Sequence, residues 1–175
     1  MTYYDDIFEV ASENFGLITT AQARELGIAK DELGKLRLRG KLERIGYGVY
    51  RIRHHVPSAL DAYADAVALV GSEAYVLGES VLAMHNLASV NPDKIHIGTT
   101  RRVRKKLPAY IKTTQRPIGD MTTVYDGIRC MTVAEAIRYC KGKVMPERLA
   151  EALRDGAGEG LVTKRELDTI SKELN

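Results

Sequence analysis

Residues 39–52, RGKLERIGYGVYRI, contain two short aliphatic runs that meet at a loop with two glycines. This pattern predicts two strands, Leu42 to Ile45 and Val49 to Ile52, joined in a tight hairpin with Tyr47 at its tip. Arginines are spaced through both strands. The hairpin is therefore expected to present positive charge beside an exposed aromatic ring.

Two helices are predicted well before this hairpin. Apolar residues recur at helical spacing over residues 4–15, and Gly16 is expected to end that helix. Thr19 and Gln22 have the spacing of a capping box, which predicts the start of a short second helix that ends at Gly27.

A third helix is predicted in the segment AKDELGKLRLRG, residues 29–40. Leu33 and Leu36 fall on its inner side, and cations gather on its outer side and towards its end. Ala29 stands where a capping hydroxyl is expected. Leu38 does not fit the apolar stripe, so either it faces thymine methyls or a partner, or the helix ends before it. Three helices followed by a hairpin are the order of a winged helix-turn-helix.

The charge of this region is concentrated. The whole chain of 175 residues has a net charge of only +3, but eight cations and three acids lie between residues 30 and 53. Such a stripe on the third helix and the hairpin favours DNA. One alternative is that the three helices and the hairpin simply pack together and that the cations form a solvated face. Another is a winged helix that serves as a protein-interaction module.

The DNA contacts predicted from this pattern divide by role. Lys35 and Arg39 are expected to approach base edges, with Asp31 a further base contact near the helix start. Phosphate contacts are expected from the remaining cations and the hairpin, namely Lys30, Arg37, Arg44, Arg51 and Arg53, with Tyr47 at the hairpin tip.

The chain is expected to divide into two domains, residues 1–56 and residues 57–175, because Pro57 and Ser58 mark a boundary. In the second domain helices are predicted at 59–70, 75–87, 133–140, 145–154 and 164–174. Strands are predicted at 94–100, 110–114 and in a hairpin around residues 126–127. The fold class is therefore α+β: an N-terminal winged helix-turn-helix followed by a mixed α+β domain.

A second basic segment lies in the later domain. Residues 94–116 contain eight lysines and arginines and no acid. They are densest in the second basic patch, which consists of Arg101, Arg102, Arg104, Lys105 and Lys106. This patch is either a solvated loop, a second nucleic-acid surface or a docking site for an acidic partner.

Several function classes find no support in the sequence. The four histidines lack a zinc-ligand pattern, no phosphate-binding glycine loop is present, and no nucleophile elbow surrounds Ser80. Cys130 and Cys140 are expected to be buried and reduced. No segment reads as a membrane span or a signal peptide, so we expect a cytoplasmic protein. Because no catalytic, metal-binding or phosphate-binding motif was found, we also expect that the protein is not an enzyme and uses no cofactor or metal.

Three segments together resemble a known family. LITTAQARELGI, RLRGKLERIGYGVYRI and the stretch from residue 68 to 106 that contains GESVLAMHNL resemble, in order and spacing, the AbiEi antitoxins of type IV abortive-infection systems. The resemblance implies an N-terminal winged helix that represses its own operon at inverted repeats. It also implies a C-terminal domain that counters a nucleotidyltransferase-like toxin.

Residue roles follow from the resemblance. It implies that Gln22, Lys35, Arg39 and the hairpin from Arg44 to Arg51 contact double-stranded operator DNA, and that residues 101–106 belong to the antitoxin half. Two rival functions remain open: a winged-helix module that binds an acidic protein, and a transcription factor that responds to a ligand. The operator sequence, the oligomeric state, the toxin, direct contact with it and any small-molecule ligand are not determined by the sequence.

Overall fold

The computed structural model describes residues 2–175, and the chain folds as two compact units that divide between Gly71 and Ser72. Both units combine helices with a sheet, as the predicted α+β class requires. Within residues 2–175, no helix has the length and apolar character needed to cross a bilayer.

The first unit is a winged helix-turn-helix, as predicted. Its elements are α1 (Tyr3–Ser12), β1 (Leu17–Thr19), α2 (Thr20–Glu25), α3 (Lys30–Leu38), β2 (Leu42–Gly46), β3 (Val49–Ile52) and α4 (Asp61–Val70). The three strands form an antiparallel sheet in the order β1-β3-β2, so the hairpin of β2 and β3 is held by β1 at its inner edge. A single apolar cluster fills the space between this sheet and α1 to α3: Ile7, Ala11, Ile18, Ala23, Ile28, Leu33, Leu36, Leu42, Tyr50 and Ile52.

Two local details of the first unit differ from the sequence-based expectation. α1 ends at Ser12, because the chain turns there and Phe15 takes a left-handed backbone conformation with φ of 55°. β1 was not predicted, because three residues are too short to show an alternating pattern. The capping box of Thr19 and Gln22 is confirmed: each side chain bonds the backbone N–H of the other, at 3.1 and 2.9 Å.

α4 groups with the first unit, so the compact units divide 15 residues later than the predicted boundary between residues 56 and 57. Asp61, Asp65 and Leu69 share one face of α4, since they are spaced by one turn each. Asp61 accepts a hydrogen bond from His55 at 2.9 Å, and Asp65 forms an ion pair with Arg51 on β3. These polar contacts were invisible in the sequence pattern, which marked only the proline.

The second unit is a mixed five-stranded sheet with helices. Its strands are β4 (Tyr75–Val76), β5 (Ile95–Thr99), β6 (Ile111–Gln115), β7 (Thr122–Tyr125) and β8 (Ile128–Met131), in the order β6-β5-β4-β8-β7. Its helices are α5 (Glu79–Met84), α6 (Val133–Cys140), α7 (Pro146–Gly158) and α8 (Lys164–Leu174). β5 and β6 run parallel, as do β4 and β8.

The predicted helix at 75–87 was wrong in its first part. Tyr75 and Val76 form the central strand β4, and α5 begins only at Glu79 after Gly78, which has φ of 58°. A short apolar run without clear periodicity fits a buried strand as well as a buried helix, and here the central position of the sheet decides.

Both cysteines are buried and free, as predicted. Burial raises the pKa of the Cys130 thiol to about 11 and that of the Cys140 thiol to about 12. Since the thiolate is the reactive form, both side chains behave as small apolar groups of the core at neutral pH.

Candidate nucleic-acid interface

The helix-turn-helix is formed by α2, a tight connection and α3. Gly27, with φ of 75°, permits the turn, and Ile28 inserts into the core directly after it. α3 begins at Lys30 behind Ala29, whose side chain makes no capping bond, as its residue type predicts. α3 is thus held by its apolar side and by the connection rather than by a side-chain cap.

The outer face of α3 is determined by the residues that it buries. Leu33 and Leu36 are buried, so Asp31, Lys35 and Leu38 project to the opposite side at intervals of one turn. Leu38 is 85% exposed, the highest value among the large hydrophobic side chains identified as exposed within residues 2–175. The prediction that Leu38 lies outside the apolar stripe of α3 is confirmed, because the side chain is in solvent.

The cations of α3 surround this face. Lys30, Arg37 and Arg39 are exposed at its start, its side and its end, respectively. The ammonium of Lys35 forms an ion pair with Glu32 at 2.7 Å, and the Glu32 carboxylate raises the pKa of the Lys35 amine. Lys35 is therefore fully charged, and because its own side chain is 56% exposed it can exchange Glu32 for another anion.

The hairpin of β2 and β3 forms the wing, with Tyr47 64% exposed at its tip. The Lys30 ammonium lies over the Tyr47 ring, 5.6 Å from its centroid, so the wing tip approaches the start of α3. Arg44 is exposed on β2, where its Nε donates to the Gly46 carbonyl at 3.2 Å, and Arg53 is exposed after β3.

The wing is also tied to α2. The Gly48 carbonyl accepts hydrogen bonds from the backbone N–H and the hydroxyl of Thr20, at 2.9 and 3.3 Å. Gly48 has φ of 70°, which glycine adopts at little cost. These hydrogen bonds join the wing to α2, and the contact of Lys30 with Tyr47 joins it to the start of α3.

Two of the predicted contacts have structural tasks in this unit. Arg51 is only 14% exposed; its guanidinium pairs with Asp65 and donates to the Phe15 carbonyl at 3.2 Å. This environment does not fit the predicted phosphate contact, because the charge faces α4 and is already neutralised. Gln22 is half-buried, and its amide oxygen caps α2, which leaves only the amide nitrogen for a ligand.

Lys41 is a surface cation that the site prediction omitted. It is exposed directly before β2, and its ammonium lies 5.3 Å from the centroid of the Tyr4 ring. The position of Lys41 between α3 and the wing could be predicted from Gly40, which ends the helix region. Its contact with Tyr4 on α1 could not be predicted from the sequence.

The second basic patch lies in the second unit, on the connection between β5 and β6. Arg102, Arg104 and Lys106 are exposed, and Arg101 is 86% exposed although it pairs with Glu73 at 3.2 Å. Lys105 is half-buried, and burial lowers the pKa of its amine. The patch is therefore a real concentration of solvent-facing charge with one acidic neighbour.

Comparison with protein families relates the helix-turn-helix of the first unit to a known family. Residues 5–53 match the family described as transcriptional regulator, AbiEi antitoxin. The first unit carries an AbiEi helix-turn-helix domain. The match extends from α1 to the end of the wing and so includes the α3 surface but not the second basic patch. It confirms the resemblance for LITTAQARELGI and RLRGKLERIGYGVYRI, which lie within the matched residues, and it supports a transcriptional regulator of the antitoxin kind. The resemblance of the segment that contains GESVLAMHNL stays a prediction. No curated protein matches the chain.

Proposed function

We propose that the AbiEi domain binds the promoter DNA of its own operon and represses it, and that the protein is the antitoxin of a type IV toxin-antitoxin system. The observation that carries the DNA-binding part is the surface on which the cations of α3 lie beside a wing that is hydrogen-bonded to α2 at Gly48. The protein acts in the cytoplasm, where its DNA target is, and works by occupying the promoter rather than by catalysis.

On DNA, α3 enters the major groove with its outer face towards the bases. Lys35 exchanges Glu32 for a base edge, Arg39 contacts guanine from the end of the helix, and Asp31 accepts from cytosine near its start. Lys30, Arg37, Arg44 and Arg53 bind phosphates, which fixes the register without reading sequence. Tyr47 and the wing lie along the backbone or the adjacent minor groove.

The antitoxin part of the proposal rests on the family match of the first unit and on the resemblance that continues to residue 106. In this proposal the second unit supplies the activity that opposes a nucleotidyltransferase-like toxin, with or without direct contact. Inverted repeats in the operator are bound by a dimer or by two cooperating monomers.

Glutamine substitutions separate the two kinds of DNA contact. Lys35→Gln and Arg39→Gln are expected to lower the preference for the protein's own upstream DNA over scrambled DNA by roughly five- to fifteenfold each. Arg44→Gln and Arg53→Gln are expected to weaken binding to both DNAs alike and to reduce the salt slope by about one. Mobility-shift titrations at two salt concentrations measure both quantities.

The matched control is Arg154→Gln, an exposed cation of the second unit with the same change in charge. It is expected to leave preference and salt slope unchanged. Equal losses on both DNAs from all four interface variants would contradict the assignment of base contacts. Absence of any preference in the wild-type protein would instead favour a winged helix that binds an acidic protein.

Leu38 provides a separate test of how α3 faces the groove. Leu38→Ala is expected to reduce operator preference by roughly three- to tenfold, since an apolar side chain on this face contacts thymine methyls. The free energy of unfolding is expected to change by less than about 0.5 kcal/mol, because the side chain is 85% exposed. Unchanged operator binding in this variant would place Leu38 outside the groove.

A further inference from the structure

A second, smaller group of positively charged side chains surrounds Tyr139 in the second unit, and none of its members belongs to the second basic patch. Lys112 lies on β6, and Arg116 is the first residue after that strand. Tyr139 lies on α6, and Lys143 follows that helix. His96 on β5 completes the group. These residues come from three separate parts of the chain, and the fold brings them together.

The distances define the cluster. The Lys143 ammonium lies 3.5 Å from the centroid of the Tyr139 ring, and the Arg116 guanidinium lies 5.1 Å from it. The His96 ring is 6.3 Å from the same ring and approaches it edge-on. His96 is also paired in register with Lys112 on the parallel strand, so their side chains leave the sheet on the same face.

The cations of this cluster are poorly neutralised. Arg116 forms a long ion pair with Glu135, at 3.9 Å, and the same carboxylate also pairs with Arg138, at 3.7 Å. In the described part of the chain, neither Lys112 nor Lys143 has an ion pair with a carboxylate within 4.0 Å. Two cations that share one aromatic ring repel each other, and an anion between them would relieve that repulsion.

His96 is anchored and uncharged within this group. Its Nε2 lies 2.6 Å from the Thr114 hydroxyl. Burial, together with the positive charges of Lys112 and Lys143, lowers the pKa of its imidazole to about 4. Glu135 is the acid beside Arg116. Glu79 lies near Cys140 at the end of α6, where its charge adds to the effect of burial in raising the pKa of that thiol. At neutral pH the imidazole is thus a fixed, neutral group beside two lysine charges.

We propose that His96, Lys112, Arg116 and Lys143 form a binding site for a phosphate group, carried by a free oligophosphate or by the backbone of a nucleic acid. A phosphate offers several strong acceptor oxygens in a small volume, which matches ammonium, guanidinium and imidazole donors from different directions. Lys112 and Lys143 are exposed, so they can turn from solvent and from the Tyr139 ring to the ligand. The site lies wholly in the second unit and does not depend on operator binding by the first.

The test uses the full chain and sodium pyrophosphate, followed by NMR of the histidine ring protons, with a His96→Gln sample to assign the His96 signal. Pyrophosphate is expected to shift the His96 signal in a saturable manner and to raise the pKa of its imidazole, because added negative charge favours the protonated ring. The double variant Lys112→Gln/Lys143→Gln is expected to weaken this binding by about tenfold or more, since two charged donors are lost.

The matched control is Lys164→Gln/Lys172→Gln, which removes two exposed charges from α8. It is expected to bind pyrophosphate within about twofold of the wild-type affinity. A parallel titration with a single-stranded oligonucleotide without terminal phosphates identifies the source. A His96 response to pyrophosphate supports a free oligophosphate, and a response only to the oligonucleotide that is lost in Lys112→Gln/Lys143→Gln supports a nucleic-acid backbone.

Two outcomes overturn the site. One is the absence of a saturable His96 shift with either ligand in the wild-type protein, a result that depends on no variant. The other is an equal loss of binding in the α8 control, which would show that overall charge attracts the anion. Amide spectra of both double variants check that the second unit remains folded.

Discussion

Asp65→Ala is expected to lower the free energy of unfolding of the first unit by about 2 to 3 kcal/mol, because it leaves the Arg51 guanidinium without its acid. Both side chains are only 14% exposed, and the Asp65 carboxylate accepts two bonds from Arg51, one of them at 3.3 Å. Arg51 is itself part of β3, and its Nε also donates to the Phe15 carbonyl at 3.2 Å, which keeps the guanidinium in this part-buried position. Arg51→Met is also expected to be destabilising, since it leaves the Asp65 carboxylate without its partner, although methionine keeps part of the packing of the arginine stem.

The measurement has two parts. Urea unfolding gives the overall loss, and hydrogen exchange of peptides from β3 and α4 assigns it to the first unit, since two units need not unfold together. The double variant Arg51→Met/Asp65→Leu is expected to lose less than the sum of its single changes. Arg44→Met, on the exposed strand of the wing, is the control, with a change below about 0.5 kcal/mol.

DNA binding by Arg51→Met distinguishes a structural arginine from a phosphate contact. At a temperature where the variant remains folded, its salt slope on DNA is expected to equal that of the wild-type protein. A slope reduced by about one, with normal stability, would return Arg51 to the phosphate contacts and contradict its role in the ion pair.

Arg44 and Arg51 show what the sequence could predict of this surface and what it could not. Both are arginines in the strands of one hairpin, and no local pattern distinguishes them. Arg44 is exposed and Arg51 is paired because of α4, whose Asp65 lies 14 positions along the chain from Arg51. Capping boxes and the outer face of α3 were predictable, because their partners lie within one or two turns of the same helix.

The cluster around Tyr139 could not be predicted from sequence patterns either, because its members lie far apart along the chain. His96, Lys112 and Lys143 belong to different elements, and only the parallel pairing of β5 with β6 and the position of α6 bring them together. The sequence did mark residues 94–116 as rich in cations and free of acid. It directed attention to the run at 101–106, because adjacent charges are conspicuous and dispersed ones are not.

Gly98→Ala is expected to destabilise the second unit by about 3 kcal/mol, because no space exists for a methyl group on β5. A Cβ at this position would lie 2.4 Å from Cζ of Tyr75 and 2.7 Å from its hydroxyl oxygen. Tyr75 is 1% exposed on the central strand, and its hydroxyl donates to the Arg116 carbonyl at 3.3 Å. The ring is therefore held at both ends and cannot turn aside.

Urea unfolding with hydrogen exchange of β4 and β5 peptides measures this loss. Two alanine substitutions serve as comparisons. Gly46→Ala in the wing meets only the end of the flexible Leu69 side chain, so a smaller cost is expected, and Gly158→Ala on α7 meets nothing within 4 Å, so little change is expected. If Gly98→Ala were as stable as Gly158→Ala, Tyr75 would have to repack. The Arg116 carbonyl would then lose its hydrogen bond from the Tyr75 hydroxyl, while the Arg116 N–H would keep its bond to the Thr99 carbonyl at 2.8 Å. A small shift of the His96 signal without any ligand is expected in that case.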